Sequence, residues 1–263
     1  MSEAAFVALE RGFRATELTR GPWSPEHQHA GPPIALVARA IEQAASALDL
    51  THVARLTANL LRPIPIGELS IDVQTEYAGR NVAHFAAQLS SGGKQVARFT
   101  AVAHREAEVD IPATLAGHPL PQAPRPVEES EPVRFPFSRE SRGYQDFVEG
   151  RLAKGVFFRG PCAVWLRMRY PLLAGEAPSG LQRVAVAADS GNGVSSVLDF
   201  QRYVFVNSDL TIHLLRKPRG EWICLDAQTL IGPQGSGLAE SRLFDAQGLV
   251  GRASQSLPVR PRD

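Results

Sequence analysis

Hydrophobic residues in the N-terminal part of the chain recur with two periods, one typical of a helix and one typical of strands. From Ile34 to Leu48 they recur every three or four residues, which predicts a helix, and Arg39, Glu42 and Gln43 lie off its apolar face. After it, apolar and polar residues alternate in segments that are separated by turn residues. The predicted strands cover residues 53–61, 69–77, 83–89 and 95–103, with an earlier one at 15–19.

The C-terminal part of the chain repeats this order of elements. A strand is predicted at residues 160–170, followed by a helix of small residues at 181–190 that glycines 191 and 193 interrupt. Four more strands are predicted at residues 204–215, 221–229, 236–244 and 249–257. A unit of one strand, one helix and four antiparallel strands is therefore expected twice.

An internal repeat supports this duplication. The segment from Leu56 to Arg62 shares five of seven residues with the segment from Leu210 to Arg216, and the offset is 154 positions. Carried on to Arg98 without a gap, the same offset gives eleven identities in 43 positions. Random alignment of ordinary compositions would give roughly three. A duplicated fold unit is the simplest explanation.

A proline-rich segment separates the two copies. Residues 112–136 contain seven prolines and the acidic residues Glu128, Glu129 and Glu131, which is typical of an extended, solvated linker. The predicted organisation is a first unit at residues 1–110, a linker at 111–140 and a second unit at 141–263. The fold class is α+β, because each unit combines antiparallel strands with one helix.

Composition excludes several classes of protein. The net charge of +1 provides no basic surface for phosphates, so no nucleic-acid partner is predicted. No apolar run approaches 18 residues, and an acidic residue stands where a signal peptide needs basic ones, so we expect no membrane partner and a cytoplasmic location.

Cysteine and histidine usage points to no cofactor. Cys162 and Cys224 are too few and too far apart for a disulfide framework or a zinc site, which favours two core residues. His27 and His29 have no third ligand near them in the sequence, so no metal site is predicted. The chain also lacks the Gly-x-Ser-x-Gly turn of α/β-hydrolases.

The chain resembles a known family over both units. The segment from Trp23 to Pro33, which leads into the first helix, the repeated strand set and the segment from Gly248 to Gln255 are similar to double-hotdog acyl-CoA thioesterases of the thioesterase II (TesB-like) family. The resemblance implies a double hotdog, two tandem units that each wrap a curved antiparallel sheet around a central helix. It also implies an acyl-CoA substrate, a place in lipid metabolism and a homo-oligomer.

The same resemblance implies a catalytic set. The family's Asp falls on Asp189 and its Gln on Gln255, whereas its Thr position falls on Asn207, a departure that leaves Thr211 or Ser208 as substitutes. Hydrolysis of a thioester needs a positioned water, a base and an oxyanion donor. We therefore expect Asp189 to activate water directly, with no covalent intermediate.

Three residues near the first helix are candidates for substrate binding. Gly31 at the helix start could offer a backbone amide without a side chain, while His29 and Trp23 would line the entry loop. Only the second unit carries an acid at the matching junction, since the first unit has Ala30-Gly31-Pro32 there. One reactive centre per chain is therefore expected.

Other interpretations remain open from the sequence alone. Asp189 could be a turn carboxylate, Gln255 a solvent-facing strand residue and Asn207 the end of a strand. A non-catalytic acyl-thioester binding protein is the alternative function, and the Asn207 departure keeps it open. A hotdog hydratase or dehydratase would instead require an interior histidine beside an acid, for which His27 and His29 are the candidates.

Overall fold

The computed structural model describes residues 3–112, 115, 120–136 and 141–262. The described helices are α1 (Gly31–Ser46), α2 (Tyr144–Phe147), α3 (Gly180–Ala188) and α4 (Gly191–Val194), with 3-10 turns at Glu17–Thr19 and Val127–Glu129. The described strands are β1 (Phe6–Ala8), β2 (Phe13–Ala15), β3 (His52–Leu60), β4 (Glu68–Ala78), β5 (Val82–Ser91), β6 (Lys94–His104), β7 (Glu131–Val133), β8 (Val148–Gly155), β9 (Cys162–Met168), β10 (Tyr203–Val204), β11 (Asp209–Leu214), β12 (Ile223–Gly232), β13 (Ser236–Asp245), β14 (Gly248–Pro258) and β15 (Arg260–Pro261).

Thirteen of the described strands form one antiparallel sheet. Its order is β1-β2-β4-β5-β6-β3-β11-β14-β13-β12-β9-β8-β7, so the strands of the first half of the chain stay together and meet the second half at β3 and β11. The two remaining strands, β10 and β15, pair with each other. Each half wraps its own central helix, which is the predicted double hotdog.

Strand pairing preserves the sequence repeat residue by residue. In the first half Thr57 pairs with Thr100, and in the second half Thr211 pairs with Ser254, 154 positions later in both strands. The same offset relates the β4–β5 register to the β12–β13 register. At the junction Thr57 and Thr211 lie opposite each other, and their hydroxyls are 3.2 Å apart. This pair therefore lies where the two copies meet.

The central helices are buried because each packs against a sheet and against the other helix. α1 contacts β3, β4 and β5, α3 contacts β9, β11, β12 and β13, and the two helices contact each other. Every residue of α1 from Gly31 to Ala38 is buried, although an amphipathic pattern predicts only one buried face. The small residues of both helices allow this close approach.

Several predicted boundaries are corrected. The strand expected at residues 15–19 is a 3-10 turn that follows β2, because Thr19 hydrogen bonds back to Thr16 instead of to a neighbouring strand. The strand expected at 204–215 is divided into β10 and β11. The predicted first helix ends at Ser46, so Leu48 lies beyond it and is partly exposed. β8 was missed.

The predicted linker is only partly extended. Residues 113, 114, 116–119 and 137–140 lie outside the described residues. Within the remainder, β7 pairs with β8 at the edge of the sheet, and Val127 is buried. Part of the segment therefore belongs to the second half of the fold.

Among the described residues, no helix combines the length and the apolarity that crossing a bilayer requires.

Candidate active site

Asp189 lies at the end of α3 and is turned towards the interior. The N-terminus of α3 is capped by Ser179, whose hydroxyl accepts a hydrogen bond from Gln182 N at 3.1 Å. After Ala188 the chain passes through Asp189, in helical conformation, into α4, which begins at Gly191. Only 4% of Asp189 is exposed. A buried carboxylate requires polar partners, because burial removes its hydration.

Asn207 and His29 supply those partners from opposite sides. Asn207 Nδ2 donates to Asp189 Oδ1 at 2.9 Å, and His29 Nδ1 lies 2.9 Å from Asp189 Oδ2. Asn207 precedes β11 in the second half, whereas His29 precedes α1 in the first. The carboxylate is therefore held by residues of both copies.

The imidazole of His29 is fixed in orientation by Tyr144. The two rings are stacked with centroids 3.6 Å apart and an interplanar angle of 2°. The Tyr144 hydroxyl donates to Val186 O at 2.9 Å and accepts from Ser190 Oγ at 2.8 Å. Burial raises the pKa of Tyr144, so this phenol stays protonated and keeps its place.

His29 Nδ1 contacts both the backbone amide of Gly31 and the carboxylate of Asp189. Gly31 N lies 3.2 Å from His29 Nδ1, the same atom that contacts Asp189. Nδ1 cannot accept from Gly31 and also donate to Asp189. The shorter contact to a carboxylate favours a proton on Nδ1, a tautomer assigned from the hydrogen-bond network. The Gly31 N–H is directed at the same nitrogen, so it can serve another acceptor only when it turns away from His29.

The start of α1 packs closely against α3 beside that amide. A Cβ on Gly31 would lie 2.7 Å from Val186 O and 3.2 Å from His29 Nδ1, so a larger residue would separate the two helices. Pro32 and Pro33 have no N–H, so Gly31 carries the one backbone donor of the first three helical positions, and this N–H is directed at His29 Nδ1.

Gln255 holds the turn that carries Asp189. Its Nε2 donates to Asp189 O at 3.1 Å, and its Oε1 accepts from Asn192 N at 3.0 Å. Only 2% of Gln255 is exposed, because it shares the inward face of β14 with Ala253 and Leu257. It does not face solvent. Both ends of the amide are engaged by backbone, so Gln255 orients the α3–α4 turn.

The carboxylate opens into a cavity of about 420 Å³. Asp189, Asn207, His29 and Trp23 all line it, as do His27 and the segment after β3 from Leu60 to Ile64. Trp23 also contacts the rings of Phe200 and Phe205. The sequence thus identified four residues that meet at one cavity, and Gly31 and Gln255 lie directly behind it.

Thr211 is apart from this cavity. Along β11 the residues Leu210, Ile212 and Leu214 are buried, so Thr211 points to the opposite face of the sheet. There its hydroxyl donates to Thr57. Ser208, the other substitute, lines the cavity, although its hydroxyl donates to Ser256 O at 3.2 Å.

Tyr144 and Gln28 are site residues that the sequence did not indicate. Gln28 is buried, lines the cavity and donates through Nε2 to Pro65 O at 2.7 Å. Tyr144 lies beyond the proline-rich segment, and no sequence spacing connects it to His29. Their contribution depends on tertiary packing.

Neither cysteine is suited to act as a thiolate nucleophile. Both are free and buried. Burial raises the pKa of Cys162 to about 12, and it also raises the pKa of Cys224. A protonated thiol is a poor nucleophile. The described residues contain no group of three or more His, Cys, Asp or Glu side chains placed to hold a metal ion.

Two family models match the chain. Residues 119–259 match the acyl-CoA thioesterase C-terminal domain, and residues 19–104 match the acyl-CoA thioesterase N-terminal domain. No curated protein sequence matches the chain.

Three solved structures share the fold over nearly the full length. A thioesterase II candidate from Thermobifida fusca YX has a TM-score of 0.74 at 18% identity, with 97% of this chain and 95% of that chain covered. A conserved protein with a hot dog fold from Alicyclobacillus acidocaldarius has a TM-score of 0.71 at 16% identity, covering 98% and 96%. The acyl-CoA thioesterase II TesB2 from Mycobacterium marinum has a TM-score of 0.63 at 17% identity, covering 98% and 96%. Since both domain matches together span most of the chain, it belongs to the acyl-CoA thioesterase family.

Proposed function

We propose that this chain hydrolyses acyl-CoA to a free acid and CoA with a water molecule that Asp189 activates directly. The observation that carries the proposal is the contact of one buried carboxylate with both Asn207 and His29 at a cavity, next to the amide of Gly31. A base, a water-positioning group and an oxyanion donor are what thioester hydrolysis requires.

Asn207 is suited to holding the water. Its two amide hydrogens are directed to Asp189 Oδ1 and to Asp209 O, at 2.9 Å and 3.2 Å. Its carbonyl oxygen is therefore the part that can accept a hydrogen bond from water. A water bound to this oxygen would lie next to the Asp189 carboxylate. Asn207, rather than Thr211, fills the third catalytic position in this proposal.

The reaction follows from this arrangement. The water oxygen bonds to the thioester carbon while Asp189 takes one water proton, and the carbonyl oxygen becomes an oxyanion that accepts from Gly31 N–H. The carbon–sulfur bond then breaks, and the proton returns from Asp189 to the CoA thiolate. His29 keeps the carboxylate oriented throughout, and Gln255 acts as a positioning residue.

Thiol release from a panel of acyl-CoAs tests the proposal. Wild-type protein should release CoA, and Asp189→Ala should lower kcat by about 10²-fold or more, since a positioned base contributes roughly 10²–10⁴-fold. Asp72→Asn is the matched control, because Asp72 is an exposed carboxylate on β4. Unchanged activity in Asp189→Ala would remove the proposed centre. Binding of acyl-CoA without hydrolysis would favour the non-catalytic alternative.

One observation favours a second candidate function. The contact between His29 and Asp189 is the interior histidine–acid pair that a hotdog hydratase or dehydratase would need. The family membership supports the hydrolase instead. Addition of water to an enoyl-CoA, followed by loss of the enoyl absorbance, separates the two: hydration without thiol release would replace our proposal.

The biological setting is part of the same proposal. We expect a cytoplasmic enzyme of lipid metabolism that acts as a homo-oligomer. The mass in solution measures the last of these directly.

A further inference from the structure

A second cavity lies at the opposite end of the packed helix pair of α1 and α3. Its volume is about 490 Å³, and its lining comes from the end of α1, the start of α3, the segment before β3 and the segment after β11. The Asp189 cavity is lined by the end of α3, the segment before α1, the segment before β11 and the segment after β3. Each segment that lines one cavity therefore has its counterpart, from the other copy, in the lining of the second cavity.

The strand segments of the two cavities correspond at the repeat offset. Leu214, Lys217 and Pro218 line the second cavity at positions that match Leu60, Pro63 and Ile64 of the first, 154 residues apart. On the opposite wall, His52 and Val53 match Val206 and Asn207. The correspondence comes from the strand register and does not depend on side-chain similarity.

Glu42 provides a carboxylate in the second cavity. It lies in the C-terminal part of α1 and contacts the residue just before α3, as Asp189 contacts the segment just before α1. Glu42 Oε2 accepts from Ser179 Oγ at 2.7 Å and from Gln182 Nε2 at 3.0 Å. Glu42 Oε1 receives no hydrogen bond from the described residues. One carboxylate oxygen is thus available to the cavity.

The sequence predicted one reactive centre because Ala30-Gly31-Pro32 carries no acid. That comparison covered the start of α1, whereas Glu42 lies inside this helix, and the C-cap position that Asp189 holds in α3 is Ala47 in α1. The polar partners differ as well. Val53 and Ala101 stand at the positions that match Asn207 and Gln255. The second cavity therefore lacks both amides.

We propose that the Glu42 cavity is a second acyl-thioester site that hydrolyses its substrate more slowly than the Asp189 cavity. This inference rests on the proposed function of the Asp189 site. Glu42 takes a proton from water, the water oxygen bonds to the thioester carbon, the carbon–sulfur bond breaks, and the proton returns to the thiolate. Arg39 and Lys217 line the cavity, each paired with an acid, and each would exchange that partner for a CoA phosphate when substrate binds.

Residual hydrolysis in an Asp189→Asn background is the decisive measurement. That variant should keep a slow release of thiol above the buffer rate, and adding Glu42→Gln should lower the residual rate by about 10-fold or more. Glu76→Gln in the same background is the matched control, because Glu76 is an exposed carboxylate on β4 that does not line the cavity. Residual rates that are equal with and without Glu42→Gln would overturn the proposal, as would a residual rate of zero.

Binding stoichiometry tests the same site without catalysis. A non-hydrolysable thioether analogue of an acyl-CoA should bind twice per chain, and Ser46→Trp should remove one binding event because Ser46 lines the cavity. Ala47→Trp, one position beyond the lining, should keep both. A single binding event in wild type would assign Glu42 to helix packing only. Absence of hydrolysis by wild type would instead contradict the proposed function.

Discussion

The Asp189 cavity and the Glu42 cavity lie at the two ends of the α1–α3 helix pair in one duplicated scaffold, and they differ in what surrounds the carboxylate. Asp189 contacts an amide and an imidazole, and a second amide holds its backbone. Glu42 contacts a hydroxyl and an amide from the start of α3. The strands beside the two cavities have the same register, whereas the side chains at corresponding positions differ.

The comparison separates two requirements of a hydrolytic site. The packing of α1 against α3 inside the curved sheets brings a carboxylate to a cavity at each end of the helix pair. Holding that carboxylate and a water in a productive geometry needs further polar groups, and these are concentrated at Asp189. Preorganised partners of this kind usually account for a large part of the rate.

Gln255→Ala should have the largest effect among the partners of Asp189. It leaves Asp189 O and Asn192 N without their buried partner, which costs about 1–3 kcal/mol of unfolding free energy. The carboxylate then loses its fixed position, so kcat should fall by about 10²-fold with a smaller change in KM. Steady-state kinetics and denaturant unfolding measure both effects.

Gln88→Ala is the control for that change, because Gln88 is exposed on β5. If Gln255→Ala lost stability yet kept its kcat, Gln255 would be a structural residue only.

Asn207→Leu should reduce kcat by about 10-fold or more, since it removes both the donor to Asp189 Oδ1 and the acceptor for water. Asn207→Thr restores a hydroxyl that can donate and accept, so it should recover most of the loss. Equal rates for the Leu and Thr variants would show that this hydrogen bond does not contribute to the chemistry.

Glu42→Gln should change how stability depends on pH. Burial raises the pKa of Glu42 above its ordinary value of 4.5, while hydrogen bonds from Gln182 and Ser179 and the charge of Lys217 act in the opposite direction. The folded protein therefore holds this proton more tightly than the unfolded chain, and the unfolding free energy falls as pH rises above that value. The variant should flatten this fall. A steeper fall in urea titrations across the acidic range would contradict the assignment.

Thr211→Val should have the smallest effect, with kcat within about twofold of wild type, because Thr211 faces the other side of the sheet and bonds to Thr57. Thr57→Val is its symmetric control. A large loss of activity in Thr211→Val alone would return Thr211 to the third catalytic position.

Most of the fold could be predicted from the sequence because its strands alternate apolar and polar residues and because the chain repeats. The predicted strands of both units correspond to β3–β6 and β11–β14, with ends that differ by a few residues. β8 escaped prediction, since Gly150 stands at a buried position and a register shift between Leu152 and Lys154 interrupts the alternation. The family resemblance supplied the double hotdog, and the domain matches and fold comparisons confirm it.

The candidate site could be predicted only in part. Asp189, Asn207 and His29 were named individually, but their mutual contacts join segments from both copies, and no local pattern encodes that pairing. Glu42 was assigned to the polar side of the first helix. It is half-buried because the start of α3 packs over it, which is a tertiary effect.

A single turnover in water enriched in heavy oxygen is the most direct test of whether water itself attacks the thioester carbon. With enzyme in excess over acyl-CoA, mass spectrometry should find one heavy oxygen in the released acid and none in the peptide that contains Asp189. Heavy oxygen in that peptide, together with unlabelled acid from the first turnover, would show a covalent anhydride at Asp189 and would contradict direct activation of water.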